Sequence, residues 1–380
     1  MKTHRRVAAI LLLIGLSAAC TQEPTASPDL FALPVAYPVG LKPAMVIARD
    51  MNHDGAPDIL VPNSGNQTLS YYQGVGDGTF KEVLTIKTGR EPVALEPNDF
   101  NGDGIEDIAI CNYGDDNITI LLGQKDGSFQ TKGSVKSGRL PIALVSADFD
   151  NDGKIDLAVT LRFDKLIILL GVGDGTFKLA EAYQASGTPA GIVVGDYNND
   201  HNADIAIAFN AVRANFIKIF YGNGDGTFQN PKRFIGGKQS AFITQFDMNL
   251  DGQLDLIISS PMADSLTLFL GDGKGGFTSM PDFAGEKSPQ HIVPGEFVGG
   301  PFPDLAVCNR RDGSISILEG KGNGQFGFPH FNYPVGRSPR SIAGADFNGD
   351  GLQDLAVILY GSEVLEILLR KPSLPSPAEI

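Results

Sequence analysis

Asp99-Phe100-Asn101-Gly102-Asp103-Gly104-Ile105-Glu106-Asp107 is an acidic nine-residue loop set between two apolar runs, and the chain repeats it. Copies begin at Asp50, Asp99, Asp148, Asp196, Asp247, Glu296 and Asp346, spaced 48 to 51 residues apart. A period of this length means one small unit copied into an array or a closed ring. Oxygen-bearing side chains recur at loop positions 1, 3, 5 and 9. With a backbone carbonyl at position 7, that is how a loop gathers oxygens around a hard cation, and glycine at position 6 permits the sharp turn.

Outward from the loop, the unit reads as strands. Repeat two runs Val93 to Pro97, the loop, Asp107-Ile108-Ala109-Ile110-Cys111, a polar turn, and Ile118-Thr119-Ile120-Leu121-Leu122-Gly123. A Gly/Asp turn and Phe129 then lead into a half-apolar run that reaches Gly138. Segments this short, rich in Val, Ile and Leu and punctuated by Gly, Asn and Asp, predict strands and exclude helices. Four strands per unit is the content of a propeller blade. The turn recurs as Gly76-Asp77-Gly78-Thr79-Phe80, Gly173-Asp174-Gly175-Thr176-Phe177 and Gly224-Asp225-Gly226-Thr227-Phe228. Asp-Gly suits a tight hairpin between the third and fourth strands, and the phenylalanine is expected to start the fourth.

Copy number decides the topology. Seven acidic loops precede only six Gly/Phe turns, because the chain reaches Ile367-Leu368-Leu369 without a seventh. The missing piece stands at the front, where Phe31 to Gly40 matches Phe326 to Gly336 in pattern. The expected fold is therefore all-β: a seven-bladed propeller of four-stranded blades over residues 30–371, closed by the N-terminal strand joining the last blade.

The pattern D-x-[DN]-x-D-G-x-x-D-[IL]-A-[VI] followed by L-L-G-x-G-D-G-x-F resembles the FG-GAP/VCBS repeat of bacterial surface proteins and of the integrin α-subunit propeller. The resemblance implies the same ring, and a family that includes adhesins, carbohydrate-associated proteins and modules appended to enzymes. Calcium fits the hard-oxygen loops, and no cysteine or histidine cluster offers zinc or copper a site. About six sites are expected. Their ligands are Asp50, Asn52, Asp54 and Asp58; Asp99, Asn101, Asp103 and Asp107; and Asp148, Asp150, Asp152 and Asp156. The later sets are Asp196, Asn198, Asp200 and Asp204; Asp247, Asn249, Asp251 and Asp255; and Asp346, Asn348, Asp350 and Asp354. His201 replaces glycine in the fourth loop, and histidine tolerates left-handed φ well enough for binding to be expected there. Residues 296–304 carry Val298 and Gly300 where ligands belong, so that loop is expected to be empty.

The ends read separately. Lys2, Arg5 and Arg6 precede an apolar stretch from Val7 to Ala19, shorter than the roughly 20 residues a membrane span needs and suited to a signal peptide over 1–19. Leu16-Ser17-Ala18-Ala19-Cys20 resembles a bacterial lipobox, although Ser17 stands where leucine is usual. The resemblance implies lipidation of Cys20, a polar tether over 20–29, and anchorage at the outer membrane or surface of a Gram-negative cell. Residues 372–380 read as a disordered tail. Cys111 and Cys308 occupy equivalent places in repeats two and six, too far apart in a ring for a disulfide.

The net charge is −14, and 22 of the 44 acidic residues lie in the loops, so the acidity belongs to those loops and argues against nucleic-acid binding. Arg90, Arg139, Arg162, Arg310 and Arg337, with Lys42 and Arg340, fall in crossings between blades or in turns after second strands. Those segments should share the ring face opposite the acidic loops. That face is expected to take an anionic or hydroxyl-rich glycan or a surface protein, with the protein acting as a monomeric, non-catalytic binding module. The alternative is a lyase-like propeller enzyme acting on polysaccharide, but no nucleophile elbow, cofactor fingerprint or His–carboxylate pair stands outside the repeats.

Overall fold

The structure is a computed structural model that describes residues 29–211, 215–327 and 330–372, without the side chains of residues 82 and 83. Residues 1–28, among them Cys20, and residues 373–380 lie outside the described residues, and the signal-peptide, anchor and tail expectations fall there.

Seven antiparallel sheets form the blades of a ring, and the described residues contain no helix. Blade 2 shows the plan, with strands Pro92–Asn98, Asp107–Asn112, Asn117–Gly123 and Phe129–Lys136 pairing in that order from the axis outward. Each second strand is buried along its whole length, from Asp58–Asn63 in blade 1 to Asp354–Leu359 in blade 7. Both faces of these strands must be covered, which is why they read as near-continuous apolar runs.

The core lies between neighbouring blades. Ile205, Ile207 and Phe209 of blade 4 pack with Ala158, Leu166 and Ile168 of blade 3. Ile59 and Val61 of blade 1 pack with Ala356 and Ile358 of blade 7, so the ring is closed by the same packing that builds it. Cys111 and Cys308 are buried free thiols in separate blades.

The N-terminal strand closes the ring, as expected from the copy count. Val35–Pro38 pairs with Val364–Leu368 as the fourth strand of blade 7, with Val35 opposite Ile367 and Tyr37 opposite Leu365. Phe31 bridges Arg370, and Lys371 N–H donates to the Leu30 carbonyl at 2.7 Å.

The outer strands correct one expectation. The turn phenylalanine opens the fourth strand in blades 1, 2, 3 and 5, at Phe80, Phe129, Phe177 and Phe277. In blade 4, Phe228 only bridges Gly222 and the strand starts at Lys232. Pro231 has no N–H to give the ladder, and Pro281 likewise splits the outer strand of blade 5 into Phe277–Ser279 and Phe283–Ala284. In blade 6, Phe326 is taken up by a separate small hairpin, Gly320–Gly322 with Gln325–Phe326, so the fourth strand is Phe331–Pro334.

Candidate metal centre and the opposite face

Six of the acidic loops fold alike around their first carboxylate. In blade 2, Asp99 Oδ2 accepts the Gly104 N–H at 2.8 Å, and Oδ1 accepts those of Gly102 and Asp103. Asn101 Oδ1 accepts the Asp103 N–H, and Asp103 Oδ1 accepts the Ile105 N–H at 2.9 Å. The equivalent bond from position 6 to the first aspartate recurs at Asp50, Asp148, Asp196, Asp247 and Asp346. Such bonds require left-handed backbone at position 6. His201 adopts φ of 68° there and donates its N–H to Asp196 like the glycines. Position 4 is left-handed as well, at His53, Asn151, Asn199 and even Leu250, a requirement the sequence pattern did not reveal.

The ninth residue does something else. Asp107 is fully buried, with Oδ2 accepting the Phe100 N–H at 3.0 Å and Oδ1 the Gly123 N–H at 2.8 Å. It ties the loop's second residue to the end of the third strand. Asp58, Asp156, Asp204, Asp255 and Asp354 make the same two bonds, the last to Arg370. Asp304 keeps this brace in the sixth loop, where Phe297, Val298 and Gly320 all donate to it. Burial, with the loop's other carboxylates adding to it, raises the carboxyl pKa of Asp107 and Asp156 to about 6. At the strand end, a Cβ on Gly171 would stand 2.2 Å from the Ile155 carbonyl, which explains the glycine closing each L-L-G run.

In blade 3, position 3 is an aspartate, and oxygens of Asp148, Asp150 and Asp156 lie within 4.8 Å of one another. The other complete loops carry asparagine there. Each points its amide nitrogen at the fifth-position carboxylate, as Asn52 does to Asp54 at 3.1 Å.

The Gly/Asp turns share this face and latch blades together. Gly175 N–H donates to the Phe100 carbonyl, Gly226 to Phe149, Gly275 to Tyr197 and Gly78 to Phe347, each reaching the preceding blade's loop. The aromatic side chains meet there edge to face, as Phe177 does on Phe100 and Phe80 on Phe347 at 5.5 Å. Met51 and Met248 replace the loop aromatic in blades 1 and 5, and Phe129 and Phe326 pack on Tyr71 and Phe283 instead. Phe31 plays this part against Phe297, completing the set with a residue from the other end of the chain.

Crossings and second turns do gather on the opposite face. Gly114 N–H donates to the Arg90 carbonyl, Arg162 to Leu140, Arg311 to Lys287 and Gly361 to Arg337. The predicted arginines differ in what they meet. Arg90 is spent on Asp115 at 2.5 Å and on the Gly114 carbonyl. Arg139 lies over Phe163, and Arg162 over Tyr113. Arg310 and Arg340 flank the same ring, Tyr360, at 6.0 and 5.2 Å. Arg337 is exposed at the crossing into blade 7. Lys42, Tyr113, Arg162, Arg340 and Tyr360 line a basin of about 800 Å³ at the ring's mouth. Of the two histidines in later repeats, His291 is wedged in the axial wall against Phe242, and burial lowers its pKa to about 4. His330 is also held below its usual value by burial.

Four stretches, residues 50–110, 99–159, 148–207 and 301–357, match the family described as the FG-GAP-like repeat. No curated protein matches the chain. Among solved structures, BBS1N in complex with ARL6DN is similar at 12% identity and TM-score 0.66, over 92% of this chain and 99% of that one. Virginiamycin B lyase from Staphylococcus aureus is similar at 12% identity and TM-score 0.59, over 89% and 99%. A functionally unknown protein from Desulfotomaculum acetoxidans follows at 12% identity and TM-score 0.51, over 66% and 72%. At such identities the likeness is one of fold.

Proposed function

The chain belongs to the FG-GAP-like repeat family, and on that premise we propose that it is a calcium-stabilised, non-catalytic binding module held at the cell surface. The observation that carries the calcium reading is the recurrence of one carboxylate-centred loop in six blades, while the sixth loop has lost positions 3 and 5. Carboxylates as close as Asp148, Asp150 and Asp156 repel one another, and a divalent cation relieves that repulsion. In the loops with asparagine, neutral amide N–H groups meet the outer oxygen of the fifth carboxylate, from Asn52 and Gln73 at Asp54 and from Asn101 at Asp103, a place a cation fits better. The first-, third-, fifth- and ninth-position side chains would hold the ion, the ninth aspartate also bracing the strands. Calcium supplies charge neutralisation here. The protein's own part is to fix those oxygens by backbone N–H bonds.

We further propose that the face opposite the loops recognises an anionic or hydroxyl-rich glycan or a surface protein, with Cys20 lipidated to anchor the module. Exposed Arg139, Arg162, Arg310 and Arg337 beside Tyr113, Phe163 and Tyr360 support that reading, since guanidinium and aromatic surfaces together suit such ligands. The test is a glycan array run beside an activity screen on uronate polymers. Binding without turnover, lost in the Arg139→Ser/Arg337→Ser variant, is expected. Turnover would replace the module reading with a lyase-like enzyme.

A further inference from the structure

The seven inner strands enclose an axial channel of about 530 Å³, within the roughly 300–1,000 Å³ of small-molecule sites. Its wall is mainly apolar, with Met45, Val93, Ile142, Ala190 and Phe242 facing in from five blades. The channel opens into the basin on the cation-rich face, and Arg340 lines both. Arg310 lines the channel too, and both guanidiniums lie against Tyr360. Among the described residues no carboxylate comes within ion-pair distance of Arg310, Arg340, Arg162 or Lys42. Arg340 is reached by solvent but sits in a concavity. That desolvation, with repulsion from Arg310, pulls its pKa below the usual arginine value.

The far end has the opposite character. Glu96 lines the channel three residues further along the strand direction than the level of Arg340, which is about 10 Å of extended chain. It accepts from Ser146 Oγ at 2.9 Å, and Asn98 donates to the same hydroxyl. A carboxylate at the floor and uncompensated guanidiniums at the mouth set a direction for any amphipathic guest. An anion is attracted at one end only, and the wall between them is mainly apolar, its polar His291 and Ser341 already bonded to the backbone at Ile342 and Val46.

We propose that this channel is a binding site for a small amphipathic carboxylate, its carboxylate held by Arg340 and Arg310 at the mouth and its apolar body lodged along the inner strands. Arg340 acts as the planar two-point partner that a carboxylate matches, and Tyr360 keeps the two guanidiniums apart and oriented. The site shares Arg310 and Tyr360 with the proposed glycan surface but differs from it in needing the channel and Arg340 rather than the exposed rim of Arg139 and Arg337.

Titration calorimetry of the full chain with octanoate, acetate and octanol tests this. Octanoate should bind saturably at one site, with acetate and octanol each weaker by about tenfold or more, since each lacks one half of the interaction. Arg340→Gln should weaken octanoate by about tenfold or more, the cost of losing a charged hydrogen-bond partner, without moving the melting temperature. Ala190→Phe, which fills the wall, should abolish octanoate binding. The Arg139→Ser/Arg337→Ser variant should bind octanoate as the parent does even where glycan binding is lost, so the two proposals fail separately. Absence of octanoate binding, octanol binding as tightly as octanoate, or unchanged affinity in Arg340→Gln would overturn the assignment.

Discussion

Asp304 is the residue that separates two roles the loop pattern runs together. Its loop lacks ligands at positions 3 and 5, yet it is buried and accepts three backbone N–H groups. The ninth aspartate therefore braces the blade whether or not an ion is present. Asp304→Ala should destabilise the protein by about 3 kcal/mol or more, because the donors lose their acceptor out of reach of water. Chemical denaturation with and without EDTA checks this: the loss should be the same in both, and a loss seen only with calcium would contradict the brace. Glu96 gives a prediction in pH. Burial, the largest cause, raises its carboxyl from 4.5 to about 7, with Arg49 and Glu106 as its charged neighbours. The folded state thus binds the proton more tightly than the unfolded one, so this group's contribution falls as pH rises from about 4.5 through 7. Glu96→Gln should exceed the parent in stability by on the order of 2–3 kcal/mol at pH 8 and match it near pH 4. Urea titrations at the two pH values measure it, and a pH-independent difference would refute it. The brace was not legible in the sequence, since a ligand and a brace leave the same aspartate behind. The left-handed fourth loop position was equally hidden, because His, Gly, Asn and Leu all occupy it.

Strands and their order were legible because each blade buries both faces of its second strand. The apolar runs are therefore continuous and the turns between them polar. The N-terminal strand was found by counting copies, and its register with Val364–Leu368 is the one the pattern match requires. What the pattern could not give is how an outer strand ends when a proline removes its donor, as at Pro231 and Pro281. The inter-blade latch was half visible. The turn phenylalanine stood out, but nothing in the spacing tied it to its partner at loop position 2, which it meets edge to face. Phe31 is the sharpest probe of closure, buried against Phe297 and Tyr333 from the far end of the chain. Phe31→Ala should cost about 3–5 kcal/mol, as large core truncations do. Thermal and urea unfolding would report it. A cost below about 1 kcal/mol, within what surface positions show, would mean the strand does not close the ring.

At the scale of the whole molecule, one face collects the acidic loops and the other the crossings, so an acidic protein presents a cation-rich surface around its axis. The split follows from topology, since the loop after every first strand and the turn after every second must emerge at opposite ends. Sequence spacing predicted that division. It could not tell which arginines stay available, because Arg90 meets Asp115 from a turn 25 residues away. Nor could it show the channel, whose wall is assembled from seven separate inner strands. The central claim is that a sevenfold ring is tightened by cations at six of its corners. If each site binds with a dissociation constant near 0.1 mM, millimolar calcium adds roughly 1.4 kcal/mol per site. The most direct measurement is the melting temperature of the full chain in EDTA and in millimolar calcium. The account predicts a rise on the order of 10 °C with calcium, and an unchanged melting temperature would contradict it.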